Sequence, residues 1–329
     1  MNAHPFAQYV RTLGRGKKGA RPLTMEEARQ AMGMILAGQV EDIQLGAFLM
    51  LVRIREESPE ELAGFVAAAR ASLQLPPAPP RAELDWSTYA GKRRQLPWFV
   101  LSALLLAENG IPILMHGTHG FKDDRVYTPD AIRSLGLPLC RDFREVGDRL
   151  QAENFAFIPL ENFCPRLKEI LDLRHLLGLR SPVNTLLRML NPLAAPYMMQ
   201  GIFHPGYSAI HQQAALLLEQ AHMAVFKGEG GETERNPDMP CQVLSVRDGA
   251  SSEQAWPALF NGPRHLKDRA MDVSRLAGVW RGESEDEYGE AAVTGTAAIA
   301  LRLLGKADDI ATAETLARRM WQSRNRGRF

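Results

Sequence analysis

A proline-rich stretch, LQLPPAPPRAEL (residues 73–84), divides the chain into two parts with different rhythms, and no single uniform repeat accommodates both. Its prolines favour extended, semi-rigid backbone, so it reads as a hinge or domain crossing. Upstream, apolar residues recur at helical spacing. Thr24 and Glu27 form a capping-box pattern, Met25, Ala28, Met32, Ile35 and Leu36 supply an apolar face, and Gly38 a stop. IQLGAFLMLVRI is apolar nearly all round, as expected of a helix covered by its neighbours or by a second subunit. Ser58, Pro59 and Glu61 give the following helix an N-cap, a first-turn proline and a box partner.

Downstream the pattern alternates between helix and strand. WFVLSALLLAEN reads as a helix ended by Gly110, and IPILMHG and FAFIPL as buried strands. AIHQQAALLLEQAH runs as a helix into the strand MAVFKG, and CQVLSVRD follows as another strand. Short apolar strands separated by amphipathic helices imply a mainly parallel sheet covered on both faces. The expected fold class is therefore α/β, with a small N-terminal helical bundle domain joined to a larger α/β domain. We place the helical domain at 1–75, completed by helices around 166–192, and the α/β domain at 81–329.

Composition narrows the function classes. No apolar run reaches the length of a membrane span, and the N-terminus lacks a signal-peptide pattern, so we expect a cytoplasmic protein and no membrane. Cys140, Cys164 and Cys241 are far apart, which argues against a disulfide framework or a zinc site. A net charge of +1 announces no global field, but its distribution is uneven. The first 25 residues hold Arg11, Arg15, Lys17, Lys18 and Arg21 and no acid. After Glu314 come Arg318, Arg319, Arg324, Arg326 and Arg328. Two solvated, frayed ends are the competing account.

The order of elements and several strings resemble the anthranilate phosphoribosyltransferase family, whose fold is shared with pyrimidine nucleoside phosphorylases. MHGTHG stands where that family carries KHGNR, LGLRSPVNTLLRMLNPL parallels LGxRTxFNxxGPLxNP, and FKGEGGETE parallels HGxxGLDE. The resemblance also marks departures. The family's GTGGD loop for phosphoribosyl pyrophosphate is STYAGKRR here, and side chains on Thr88, Tyr89 and Ala90 are expected to block approach to phosphate. The family's magnesium-organising Asp-Glu pair becomes Thr233 and Glu234, which should weaken hard-cation binding. Met115 and Thr118 replace the lysine and asparagine of KHGNR, leaving His116, Gly117, Thr118 and Glu234 as degenerate substrate-site positions.

These losses resemble those of a YbiB-like branch, which implies nucleic-acid binding without catalysis. GRGKKGAR and YAGKRR carry that resemblance, together with FCPRLKEILDLRHLLGLRS. The residues offer their own support. Lys92, Arg93 and Arg94 lie between a strand end and a helix start, where cations and a helix terminus favour phosphate. Tyr89, Trp98 and Phe99 are candidates to stack bases, with core the favoured role for Trp98 and Phe99. In Pro165 to Leu179, taken as one helix, Arg174 falls inside the apolar arc, as an arginine reaching a cleft does. Ser181 and Pro182 start the next helix, on which Arg180, Asn184 and Arg188 form one stripe.

Other basic groups are weaker. Lys122 and Arg125 have Asp123 and Asp124 beside them, and Arg264, His265, Lys267 and Arg269 read as a solvated loop. His116 and His119 have HxxH spacing but no third ligand nearby. The expectation is thus a protein that binds DNA or RNA without sequence preference, using Arg15, Lys17, Lys18, Lys92, Arg93, Arg94, Arg174, Arg180 and Arg188, and the resemblance implies a homodimer through the N-terminal helices. No catalytic residue, metal or cofactor is assigned. The alternatives are a phosphoribosyltransferase or nucleoside phosphorylase with altered substrate, or a scaffold for protein partners.

Overall fold

The computed structural model describes residues 3–16, 18–120, 124–262, 267–268 and 270–329. It opens with α1 (Ala7–Gly14), α2 (Met25–Leu36), α3 (Asp42–Arg55) and α4 (Pro59–Ala71). Both expected capping boxes form, Thr24 with Glu27 and Ser58 with Glu61. Glu61 also accepts from the Leu23 N–H at 2.8 Å, which ties the α2 approach to α4. Leu45, Phe48, Leu49 and Val52 of α3 are buried, whereas Ile43 and Ile54 are 83% and 76% exposed. The helix that reads as apolar all round therefore has one uncovered apolar side.

The α/β part contributes β1 (Leu84–Thr88), α5 (Phe99–Glu108), β2 (Ile113–Gly117), α6 (Thr128–Ser134), α7 (Phe143–Glu153) and β3 (Phe155–Pro159). The short helices α8 (Leu160–Phe163), α9 (Pro165–Asp172), α10 (Arg174–Leu177) and α11 (Val183–Leu186) follow. Then come β4 (Tyr197–Ile202), α12 (Tyr207–Leu217), β5 (His222–Lys227), β6 (Cys241–Arg247) and β7 (Ala250–Trp256). The chain closes with α13 (Ser274–Arg281), α14 (Glu287–Leu303) and α15 (Ile310–Ser323). The strands form one sheet in the order β3-β2-β1-β4-β5-β6-β7. Strands β1 to β5 run parallel, and β6 and β7 are added antiparallel.

One sheet face packs on α5, α13, α14 and α15 around Trp86, Trp98 and Trp280. The other face joins the helical bundle, since Met198, Met223 and Val225 share a core with Phe48 and Phe65 and with Leu167, Ile170 and Leu186 of α9 and α11. A smaller core sits between β2, β3 and α7. Pro165 to Leu179 is not one helix: it breaks at Leu173 into α9 and α10. The C-terminal arginines are not a frayed tail. Arg324 is 8% exposed, lies 3.7 Å over the Trp321 ring and donates to the Trp280 carbonyl at 2.7 Å, while Arg328 donates to the Leu104 carbonyl at 3.1 Å.

Candidate anion site and cationic cleft

Strand β1 lies between β2 and β4, so the strand order reverses beside it, and in sheets of this kind the crevice forms beyond the carboxyl ends of the strands at such a point. The segments after β1, β2, β4 and β5 converge there. Tyr89 turns inward, 8% exposed, with its hydroxyl 2.7 Å from His116 Nδ1. His116 is fully buried and places Nε2 3.3 Å from Asp85. Thr118 Oγ1 donates to Glu161 at 2.9 Å. A Cβ at Gly117 would stand 2.2 Å from the Thr88 carbonyl oxygen, so only glycine fits that strand end.

The phosphate-loop position is filled by the chain itself. The N–H groups of Ala90 and Gly91 both donate to Glu232 Oε1, Ala90 at 2.7 Å. Gly91 has φ +69°, which aims its N–H this way. Glu232 is 1% exposed, and burial pushes its carboxyl up against the opposing pull of Arg188. Arg188, buried and not on an exposed stripe, donates to the Gly201 and Gly231 carbonyls at 2.8 and 2.9 Å. The loop is thus occupied by an internal carboxylate rather than blocked by the side chains of Thr88, Tyr89 and Ala90.

The metal-pair position is filled too. Lys92 Nζ pairs with Glu234 Oε1, with the two side chains 1% and 0% exposed. Glu234 also accepts from the Phe99 N–H at 2.9 Å, at the start of α5. Thr233 Oγ1 accepts from the Gly201 N–H at 2.8 Å and faces the Ser87 carbonyl at 3.2 Å. These residues do not fit a divalent cation, because an ammonium already lies against the one carboxylate that would bind it. Lys92 is consequently a buried cation at the wall of the larger cavity, with its ammonium engaged by Glu234.

Beyond these plugs the cleft wall carries more cations than acids, with Glu229 the acidic residue among those lining the larger cavity. A cavity of about 550 Å³ is lined by Arg93, Arg94, Arg125, Lys227, Phe203 and Met239. A smaller one of about 110 Å³ is lined by Arg53, Arg180, Asn184, Phe203, His204 and Tyr207. They meet at Phe203. Burial, followed by the charges of Arg188, Arg174 and Arg125, lowers the Arg180 guanidinium to about 10. The side chains of Arg174 and Arg180 make no hydrogen bond or ion pair with any described residue. Among the described residues Arg93 has only Asp124, 4.0 Å away, and Arg125 donates to the Ala90 and Gly91 carbonyls at 2.9 and 3.0 Å. Arg125 thus holds the former phosphate loop.

The remaining candidates lie apart. Arg15 and Lys18 are exposed beyond α1, and Lys17 lies outside the described residues, as do Lys122, Asp123, Arg264, His265 and Arg269. Trp98 and Phe99 are core. His119 is bonded to Asp130 at 2.8 Å. Sequence reasoning missed Phe203, Lys227 and Glu232. The first two stand at or just beyond carboxyl ends of parallel strands, a rule that finds them once the strand order is known.

Residues 7–73 match the glycosyl transferase family helical bundle domain, and residues 100–324 match its α/β domain. The chain belongs to this glycosyl transferase family. Its relatives within the family include the anthranilate phosphoribosyltransferase of Oleidesulfovibrio alaskensis, 31% identical over 280 residues, covering 82% of this chain and 83% of the relative. The YbiB protein of Escherichia coli K12 is 29% identical over 277 residues, covering 83% of this chain and 85% of that protein. The crystal structure of anthranilate phosphoribosyltransferase from Thermus thermophilus superimposes with a TM-score of 0.81. It covers 98% of this chain and 95% of that one at 22% identity, a likeness of fold. No described helix is long and apolar enough to cross a membrane.

Proposed function

We propose that this member of the glycosyl transferase family is a non-catalytic, cytoplasmic protein that binds DNA or RNA through its phosphates without reading sequence. The observation that carries the reading is Arg180, a partly buried guanidinium with no carboxylate partner among the described residues and with Arg174, Arg125 and Arg188 as electrostatic neighbours. Clustered arginines repel one another, and an arriving polyanion relieves that repulsion while releasing its own counterions. Arg93, Arg94 and Lys227 extend the cationic wall along the larger cavity. Arg15, Lys17 and Lys18 are proposed to add phosphate contacts at the N-terminus.

The proposed assembly is a homodimer through the uncovered side of α3, where Ile43, Ala47 and Ile54 share one arc. A two-fold axis there would join two cationic clefts, so longer oligonucleotides should bind more tightly than short ones.

The second reading is phosphoribosyl transfer with an altered substrate, which the 31% identical transferase relative favours. The two are separated by incubating the protein with phosphoribosyl pyrophosphate, magnesium and anthranilate, and in parallel with a labelled oligonucleotide at increasing salt. We expect oligonucleotide binding that weakens steeply with salt and no pyrophosphate release. Pyrophosphate release, or phosphorolysis of a nucleoside, would favour the transferase. A nuclease-resistant protein pull-down would favour a scaffold for protein partners.

A further inference from the structure

Phe203 is a large aromatic residue left 52% exposed on a protein whose other phenylalanines are mostly buried or half-buried. It follows directly on β4, at the carboxyl edge of the sheet, where the cleft opens. It is common to both cavities, with Arg53 and Arg180 in the smaller and Arg93, Arg94, Arg125 and Lys227 in the larger. Met239, 51% exposed, lines the larger cavity with it. The backbone beneath is shaped to hold Phe203 in place. Gly231 has φ +87°, and a Cβ there would stand 3.1 Å from Phe203 Cβ, so the 228–232 loop closes under the aromatic residue only because that position is glycine.

A docking surface for a folded protein needs a contiguous apolar patch, and here Phe203 and Met239 are set among cations instead. An aromatic ring flanked by phosphate-binding side chains is the arrangement that accepts a base face while the backbone is neutralised on either side. We infer that Phe203 is a base-stacking platform, so that the cleft takes unpaired nucleic acid in preference to duplex. This rests on the phosphate-binding reading above and adds to it. In a duplex each base face is covered by its neighbour, so the ring has nothing to stack on and only the phosphate contacts remain.

The test compares the native chain with Phe203→Ala and Phe203→Trp variants by fluorescence anisotropy. The probes are a labelled oligothymidylate of roughly twenty nucleotides, a duplex of the same length, and inorganic polyphosphate as competitor. We expect the native chain to bind the single strand about tenfold more tightly than the duplex, the alanine variant to lose that advantage, and the tryptophan variant to keep it. The salt dependence and the competition by polyphosphate should be the same for all three proteins, a readout that loss of folding would disturb. Equal affinity of the native chain for single strand and duplex, or unchanged single-strand affinity in Phe203→Ala, would overturn the inference and leave phosphate binding standing. Failure to bind any of the probes at low salt would overturn both.

Discussion

The ammonium of Lys92 is hydrogen-bonded to the carboxylate of Glu234, and neither side chain is more than 1% exposed. Removing one partner strands the other charge without water. Lys92→Met should therefore destabilise the protein by about 3–5 kcal/mol, whereas Lys92→Met combined with Glu234→Leu should recover most of the loss. Urea unfolding of the three proteins reads this directly. Because the Lys92 ammonium is buried against Glu234 at the wall of the larger cavity, the double variant should bind oligonucleotides as the native chain does, and weaker binding would return Lys92 to the interface.

Glu232 acts as a resident anion for the N–H groups of Ala90 and Gly91. Glu232→Ala leaves these two donors without their acceptor and removes the carboxylate that faces the Arg188 charge, so the variant should melt at lower temperature. Added acetate or inorganic phosphate should restore part of the loss in the variant and leave the native chain unaffected, as seen by thermal shift. Equal response of both proteins would mean that the loop is not an anion site.

The proposed interface on α3 is tested by Ile54→Arg. The isoleucine is 76% exposed, so the substitution is expected to leave the fold intact and to convert a dimer into a monomer by light scattering. The preference for long over short oligonucleotides should disappear with it.

His211 sets an acid-side dependence. It is 1% exposed, contacts Gln200 at 2.5 Å through Nδ1, and burial, with a smaller push from Arg188, takes its pKa from 6.5 down to about 3. Below the unfolded value the unfolded chain takes up a proton that the folded chain refuses. The contribution of this residue is thus whole above pH 6.5 and is lost as pH falls towards 3. Between about pH 7 and about pH 5 the native chain should lose about 2 kcal/mol more than His211→Gln, measured by urea unfolding.

The helical bundle and much of the sheet are legible because capping residues and apolar periodicity act locally. Thr24, Glu27, Ser58 and Glu61 make the bonds their spacing implies. Two strands carry little signal. β4 contains the buried Gln200, which is satisfied by His211 on the following helix, and β7 is an exposed edge strand with almost no apolar alternation. The anion site is illegible for a related reason. KRR reads as a cationic turn, and nothing local tells that Lys92 finds Glu234, 142 positions on, while Arg93 and Arg94 stay exposed. Arg188 is misread in the same way, because its acceptors are the carbonyls of Gly201 and Gly231.

The central claim is that Arg174 and Arg180, which have no ion-pair partner among the described residues, bind phosphates in the cleft, and one titration tests it most directly. Anisotropy of a labelled single strand is followed across a range of salt for the native chain and for Arg174→Ala/Arg180→Ala. The account predicts that log affinity falls linearly with log salt for the native chain, whatever the base sequence. In the variant the affinity should fall uniformly and the slope should be shallower by about one per arginine removed. An unchanged slope in the variant, or no binding by the native chain at low salt, would contradict it.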